Sequence, residues 1–170
     1  MRNILVFVLM ILLLGACSVN RRIAKLPEHD YQHYQVFRSF LGQEGVKHFV
    51  KFKTSEQRDA FLKEKGLWDM FYKYSDEERQ AIVDGEVTKG WTKDRVLMAW
   101  GAPYDKRALA GRKAMRSELL VYRFESAADG TIRIYEPGSK TVYKAVRRFS
   151  RRLILDDDKV VELEEVNAWE

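Results

Sequence analysis

Hydrophobic and polar positions change their period twice along this chain of 170 residues. An uninterrupted apolar run from Ile4 to Leu14 follows the charged Arg2 and ends at the small pair Gly15 and Ala16. Its eleven residues reach roughly 16 Å at ~1.5 Å each, about half of a ~30 Å hydrocarbon core. That is the layout of an export signal rather than of a permanent transmembrane helix. Ser18 to Glu28 is apolar-poor, carries Arg21, Arg22, Lys25 and Pro27, and reads as a short basic tether. From about His29 to Gly85 the signals are helical, without proline. Tyr31, Tyr34, Phe37, Phe40 and Leu41 recur at spacings of three and four and predict one amphipathic stripe. Phe49, Phe52, Phe61, Leu62, Leu67, Trp68, Phe71 and Tyr72 extend the aromatic supply. Thr54 or Ser55 caps a predicted helix that runs to about Lys65 and ends at Gly66. Ser75 with Glu78 forms a capping-box pattern for the next helix, closed by Gly85.

Beyond Leu119 the period shortens to two. Leu119 to Phe124, Thr131 to Tyr135, Thr141 to Phe149, Arg152 to Leu155 and Val160 to Val166 read as strands. Asp129-Gly130, Pro137-Gly138 and Asp156-Asp157-Asp158 read as the turns between them. Short links imply an antiparallel meander, and Lys106 to Arg116 reads as one long basic loop. The predicted class is therefore α+β: a helical N-terminal region, then short helices packed on an antiparallel sheet of three to five strands. The predicted organisation is a signal peptide at 1–16, a tether at 17–28, a helical region at 29–75 and an α+β domain at 76–170.

With 46% hydrophobic and 32% charged residues, the chain can bury a core, and disorder is not expected. The balance is basic, +5 with a pI near 9.3. Arg147, Arg148, Arg151 and Arg152 cluster about Phe149, with Lys106, Arg107, Arg112, Lys113 and Arg116 as further cations. On a strand such arginines split between two faces, so solvation alone accounts for part of the charge. The functional alternative is a surface for lipid phosphates, lipopolysaccharide or an acidic partner, because guanidinium groups bind phosphate bidentately. Export argues against nucleic acid.

Cys17 is the only cysteine, so it has no internal disulfide partner. Leu14-Gly15-Ala16-Cys17 resembles the lipobox of bacterial lipoproteins, in which cleavage precedes the cysteine and its thiol takes a diacylglycerol. The resemblance implies a membrane anchor at Cys17. Ser18, rather than Asp, implies sorting to the outer membrane with the folded part facing the periplasm; the inner membrane and the cell surface are the other placements. Several acyl chains make such an attachment stable, whereas one is marginal.

Between the two halves lies Gly90-Trp91-Thr92-Lys93-Asp94-Arg95-Val96-Leu97-Met98-Ala99-Trp100-Gly101-Ala102-Pro103. Thr92 caps, Asp94 suits the helix dipole, Val96 and Trp100 share a buried face, Gly101 suits a left-handed terminus and Pro103 forbids continuation. Followed by the Tyr-bearing strand Leu120-Val121-Tyr122 and a final hairpin, this segment resembles the SmpA/OmlA (BamE-like) outer-membrane lipoproteins over about residues 77–166. The resemblance implies two helices on a three-stranded antiparallel sheet, and a role beside the machinery that inserts outer-membrane β-barrels. The longer aromatic helical region, the basic loop and added strand length depart from that family. Phe52 to Phe61, with Trp68 beyond, resembles the GWxTD-type segments of other envelope proteins.

His29 and His33, four apart, have the helical spacing of two metal ligands, but no third ligand is evident and a solvated pair near the tether is expected. Asp156 to Asp158 read as a polar turn rather than a calcium loop. No G-x-S-x-G, free thiol or Gly-rich phosphate loop occurs, and Glu77 and Glu78 suit a helix N-terminus. Neither cofactor, metal nor catalytic residue is expected. Trp100 reads as core, while Trp91 and Trp169 are candidate exposed anchors for a partner, together with Arg147, Arg148, Arg151 and Arg152. The resulting expectation is a non-catalytic, membrane-anchored periplasmic lipoprotein that binds an envelope protein in outer-membrane assembly or maintenance. A lipid- or lipopolysaccharide-binding module is the first alternative and an envelope hydrolase the second.

Overall fold

The computed structural model describes residues 19–135 and 145–169. Cys17, its lipobox and the Pro137-Gly138 turn lie outside them. The chain divides into two compact units, one through Ser75 and one from Asp76. Its class is α+β, with helices preceding an open antiparallel sheet of five strands. Among the described residues, no helix is long and apolar enough to cross a membrane.

The first unit is helical: α1 (Glu28–Phe49), α2 (Ser55–Glu64) and α3 (Leu67–Tyr72). Gly42 interrupts α1 with φ 62°, a left-handed value that only glycine adopts cheaply. Thr54 starts α2 with a full capping box: its side chain accepts from the Gln57 amide, while the Gln57 side chain accepts from the Thr54 amide. Phe37, Phe49 and Leu62 are completely buried, each worth ~1.5–3 kcal/mol of apolar transfer. Of the predicted stripe on α1, Phe37 is fully buried and Tyr34, Phe40 and Leu41 are half-buried. Tyr31 is exposed, and Asp30 and His33 are buried beside Val36 and Phe37. Two polar groups occupy the core face because each has a partner on α2 or α3, which an apolar period cannot register.

The second unit opens with α4 (Asp76–Val83) and α5 (Lys93–Trp100). Thr92 caps α5 by accepting from the Arg95 amide, and Gly101 follows at φ 78°. The strands are β1 (Asp105–Leu109), β2 (Ser117–Ser126), β3 (Ile132–Tyr135), β4 (Arg147–Asp156) and β5 (Lys159–Val166). Their order is β1-β2-β4-β5, all antiparallel, with β3 beside β1 on the same edge of β2. Leu120, Tyr122 and Phe124 alternate onto one face of β2. Opposite them on β4 stand Leu153, Arg151 and Phe149. Trp100 from α5 covers this face, edge-on to Tyr122 and Phe124 at 5.1 Å each, and donates its indole N–H to the Gly85 carbonyl at 2.8 Å.

Two strand expectations change. The predicted basic loop holds β1 at its start, a short edge strand whose Lys106, Arg107 and Ala108 are all exposed and carry no apolar period. Of the predicted strand Thr141 to Phe149, residues 141–144 lie outside the described residues; its end, from Arg147, runs on into the predicted strand at Arg152 as one continuous β4, in which Ser150 and Arg151 sit within the ladder. The acidic turn is as expected: Asp157 and Asp158 take positive φ values of 46° and 63° between β4 and β5, the signature of a tight hairpin turn.

Candidate functional site

The arginines predicted as a phosphate-binding cluster all face carboxylates. Arg147 and Arg151 both pair with Glu165, at 2.6 and 3.1 Å. Arg152 lies 3.6 Å from Glu164, and Arg148 donates to the buried Glu125 at 3.1 Å. The guanidinium of Arg151 also lies 4.9 Å from the Phe124 ring centroid. Acidic cross-strand neighbours, Glu165 opposite Arg151 and Glu164 opposite Arg152, impose this pairing through register. Three carboxylates, Glu125, Glu164 and Glu165, thus offset most of the charge of the four arginines.

Trp91, expected as an exposed anchor, is 8% exposed. Arg95 covers its ring at 4.0 Å and in turn pairs with Glu78 at 3.0 Å. The residue joins core packing because the Trp91 carbonyl accepts from the Val160 amide and fastens the segment before α5 to β5. Trp169 remains half-exposed and donates its indole N–H to the Phe124 carbonyl at 3.0 Å.

Around Trp169 the sheet assembles a surface that the sequence did not disclose as a unit. Tyr135 lies 4.8 Å from its ring, Arg148 4.9 Å and Arg123 5.3 Å. Arg123 packs at 3.4 Å from the Tyr104 ring centroid, and Tyr104 lies 6.2 Å from Tyr135. Tyr104 is 38% exposed, and Tyr135 and Trp169 are half-buried. Cross-strand register explains the gathering: Arg123 is opposite Tyr135 on β3, and Glu125 opposite Arg148 on β4. Cation–π contacts of this kind contribute about 0.5–1 kcal/mol at exposed sites and hold the side chains in place. Tyr, Trp and Arg together, fixed and partly open, are the composition found at the energetic centres of protein interfaces.

The first unit holds a second constellation. The buried carboxylate of Asp30 accepts from Arg58 at 2.8 Å and from Ser55 at 2.9 Å, tying α1 to α2. Arg58 also donates to the Phe52 carbonyl at 2.6 Å. This clamp sets Asp59 against the two histidines one turn apart on α1. His33 Nδ1 lies 3.4 Å from Asp59 Oδ1 and His29 Nε2 lies 3.9 Å from the same oxygen. His33 is enclosed by Phe37, Trp68, Tyr72 and His29, and its Nε2 lies 2.7 Å from the Tyr72 hydroxyl. Burial, assisted by the neighbouring His29, pushes its pKa down to about 4, against the raising effect of Asp59 and Asp30. The expected solvated pair is therefore a buried His33 beside a half-exposed His29. The spacing in α1 was visible in sequence; Asp59, on another helix, had no local signal.

Comparison with family models, with curated proteins and with solved structures finds no match to this chain.

Proposed function

We propose that this chain is a lipid-anchored protein of a bacterial cell envelope whose second unit binds an envelope protein partner. The observation that carries the binding role is the fixed, half-open surface of Tyr104, Arg123, Tyr135, Arg148 and Trp169. The lipobox at Leu14 to Cys17 supports the anchor, and Ser18 supports the outer membrane with the folded units facing the periplasm. The two short helices before an antiparallel sheet support the SmpA/OmlA-like reading, and with it an accessory role in outer-membrane assembly or maintenance. The role is non-catalytic in this reading. The binding of lipid or lipopolysaccharide through Arg147, Arg148, Arg151 and Arg152 is weakened as an alternative, since each already faces a carboxylate.

The test is capture of the natively lipidated protein from cross-linked membranes, comparing wild type with Cys17→Ala and with Trp169→Ala. Wild type is expected to sediment with membranes and retain a protein partner. Cys17→Ala is expected in the soluble fraction. Trp169→Ala is expected on the membrane with partner recovery reduced about 30-fold, the loss that ~2 kcal/mol at an interface hot spot produces. Undiminished capture by Trp169→Ala refutes the surface, and membrane retention of Cys17→Ala refutes the anchor.

A further inference from the structure

Three polar side chains of the first unit converge. Ligand atoms of His29, His33 and Asp59 all lie within 4.8 Å of one another. His33 Nδ1 and Asp59 Oδ1, 3.4 Å apart, are both buried and neither has a hydrogen-bond partner. In the tautomer that donates His33 Nε2–H to the Tyr72 oxygen, Nδ1 is a bare acceptor 3.4 Å from a carboxylate oxygen. In that tautomer the two buried acceptors are unfavourable neighbours unless a cation joins them. We propose that His29, His33 and Asp59 bind a divalent transition ion, Zn2+, with Tyr72 as the positioning residue for the His33 ring.

Distances and donor chemistry agree. Tetrahedral zinc with bonds of about 2.0–2.1 Å sets its ligand atoms about 3.3 Å apart. The His33–Asp59 separation already has that value, and His29, 3.9 Å from the same oxygen, has an exposed side chain free to close the remainder. Two imidazole nitrogens and one carboxylate suit zinc rather than magnesium or calcium, which favour all-oxygen shells. Metal-bound histidines characteristically donate their second ring N–H to an outer partner, the place Tyr72 occupies 2.7 Å from Nε2. The Asp30–Arg58 pair, one residue along from His29 and Asp59, holds the two helices in the register that brings the ligands together. Three protein ligands leave a fourth position for water, and the ion joins α1 to α2. This site is independent of the partner surface on the second unit.

The test uses the full chain carrying Cys17→Ser, so that no thiol binds metal, purified in nonionic detergent on a histidine-free tag. Zn2+ is titrated in competition with a chromophoric chelator. One zinc per chain is expected. His29→Ala, which removes an exposed side chain and leaves the core intact, and Asp59→Asn are each expected to weaken binding about tenfold or more, and Tyr72→Phe about 10–100-fold. His48→Ala, which removes the remaining histidine, is expected to bind as the parent does. Co2+ is expected to give the intense visible absorption of a tetrahedral site in the parent and in His48→Ala, and none in His29→Ala. A parent that retains no zinc, or equal affinity in parent and His29→Ala, overturns the proposal. So does a His48→Ala loss as large as that of His29→Ala.

Discussion

Replacing Asp30 by Ala tests the clamp that organises the first unit. Asp30 is fully buried and Arg58 is 6% exposed. The substitution removes the acceptor of two hydrogen bonds, from Arg58 at 2.8 Å and Ser55 at 2.9 Å, and leaves a buried guanidinium with the Phe52 carbonyl. Breaking one side of a buried pair costs about 3–5 kcal/mol, against about 0–1 kcal/mol for an exposed pair. Amide hydrogen exchange of the full chain, read on peptides from α1 and α2 in the presence of a metal chelator, measures the loss locally. At 1.4 kcal/mol per factor of ten, exchange there is expected to accelerate from about a hundredfold to a few thousandfold. The double substitution Asp30→Leu with Arg58→Leu is expected to recover much of the protection, because it strands no charge; one Asp30 oxygen lacks a hydrogen-bond partner even in the native pair. Acceleration of less than tenfold by Asp30→Ala refutes the reasoning, as does a double variant less protected than the single one.

Three further outcomes follow from the second unit. Gly85→Ala places an L residue at a positive φ of 73°, with its Cβ in van der Waals contact 3.4 Å from the Trp100 indole nitrogen; the backbone strain gives an expected loss of about 1–2 kcal/mol in urea unfolding, and an unchanged midpoint contradicts it. Although burial raises Glu118, hydrogen bonds from Lys93 and Lys106 outweigh it and hold its carboxyl below the usual carboxylate range. Its contribution is therefore present above the unfolded carboxyl pKa and lost as pH falls through the lowered folded value, so Glu118→Gln is expected to flatten the acid side of the stability–pH curve; parallel curves refute this. Arg147→Ala combined with Arg152→Ala is expected to leave binding of a Cys17→Ala chain to anionic vesicles unchanged, and a loss of binding restores the lipid alternative.

Local chemistry was legible and assembly was not. Thr54, Thr92, Gly66 and Gly85 mark helix ends through short-range hydrogen bonding and positive φ, information carried within a few residues. Trp100 was readable as core from its spacing to Val96, and the acidic triplet as a turn. In sequence His33 reads as solvated and Asp30 does not register at all, because polar residues reach a core only beside distant partners, and Tyr72 and Arg58 lie 39 and 28 positions away. The arginines looked free because their acids lie across the ladder on β5 and β2. Arg123 and Tyr135 meet Trp169 through the sheet, and Tyr104 joins through Arg123 and Tyr135, so that surface has no sequence motif.

The most direct measurement of the partner-binding claim places a photo-crosslinking amino acid, one position at a time, at 104, 169 and 115 in the natively lipidated protein. Met115 is 97% exposed and lies outside the aromatic surface. Irradiation of intact cells is expected to yield the same protein adduct from positions 104 and 169 and none from 115. No adduct at 104 and 169, or the same adduct equally from all three positions, contradicts binding through this surface.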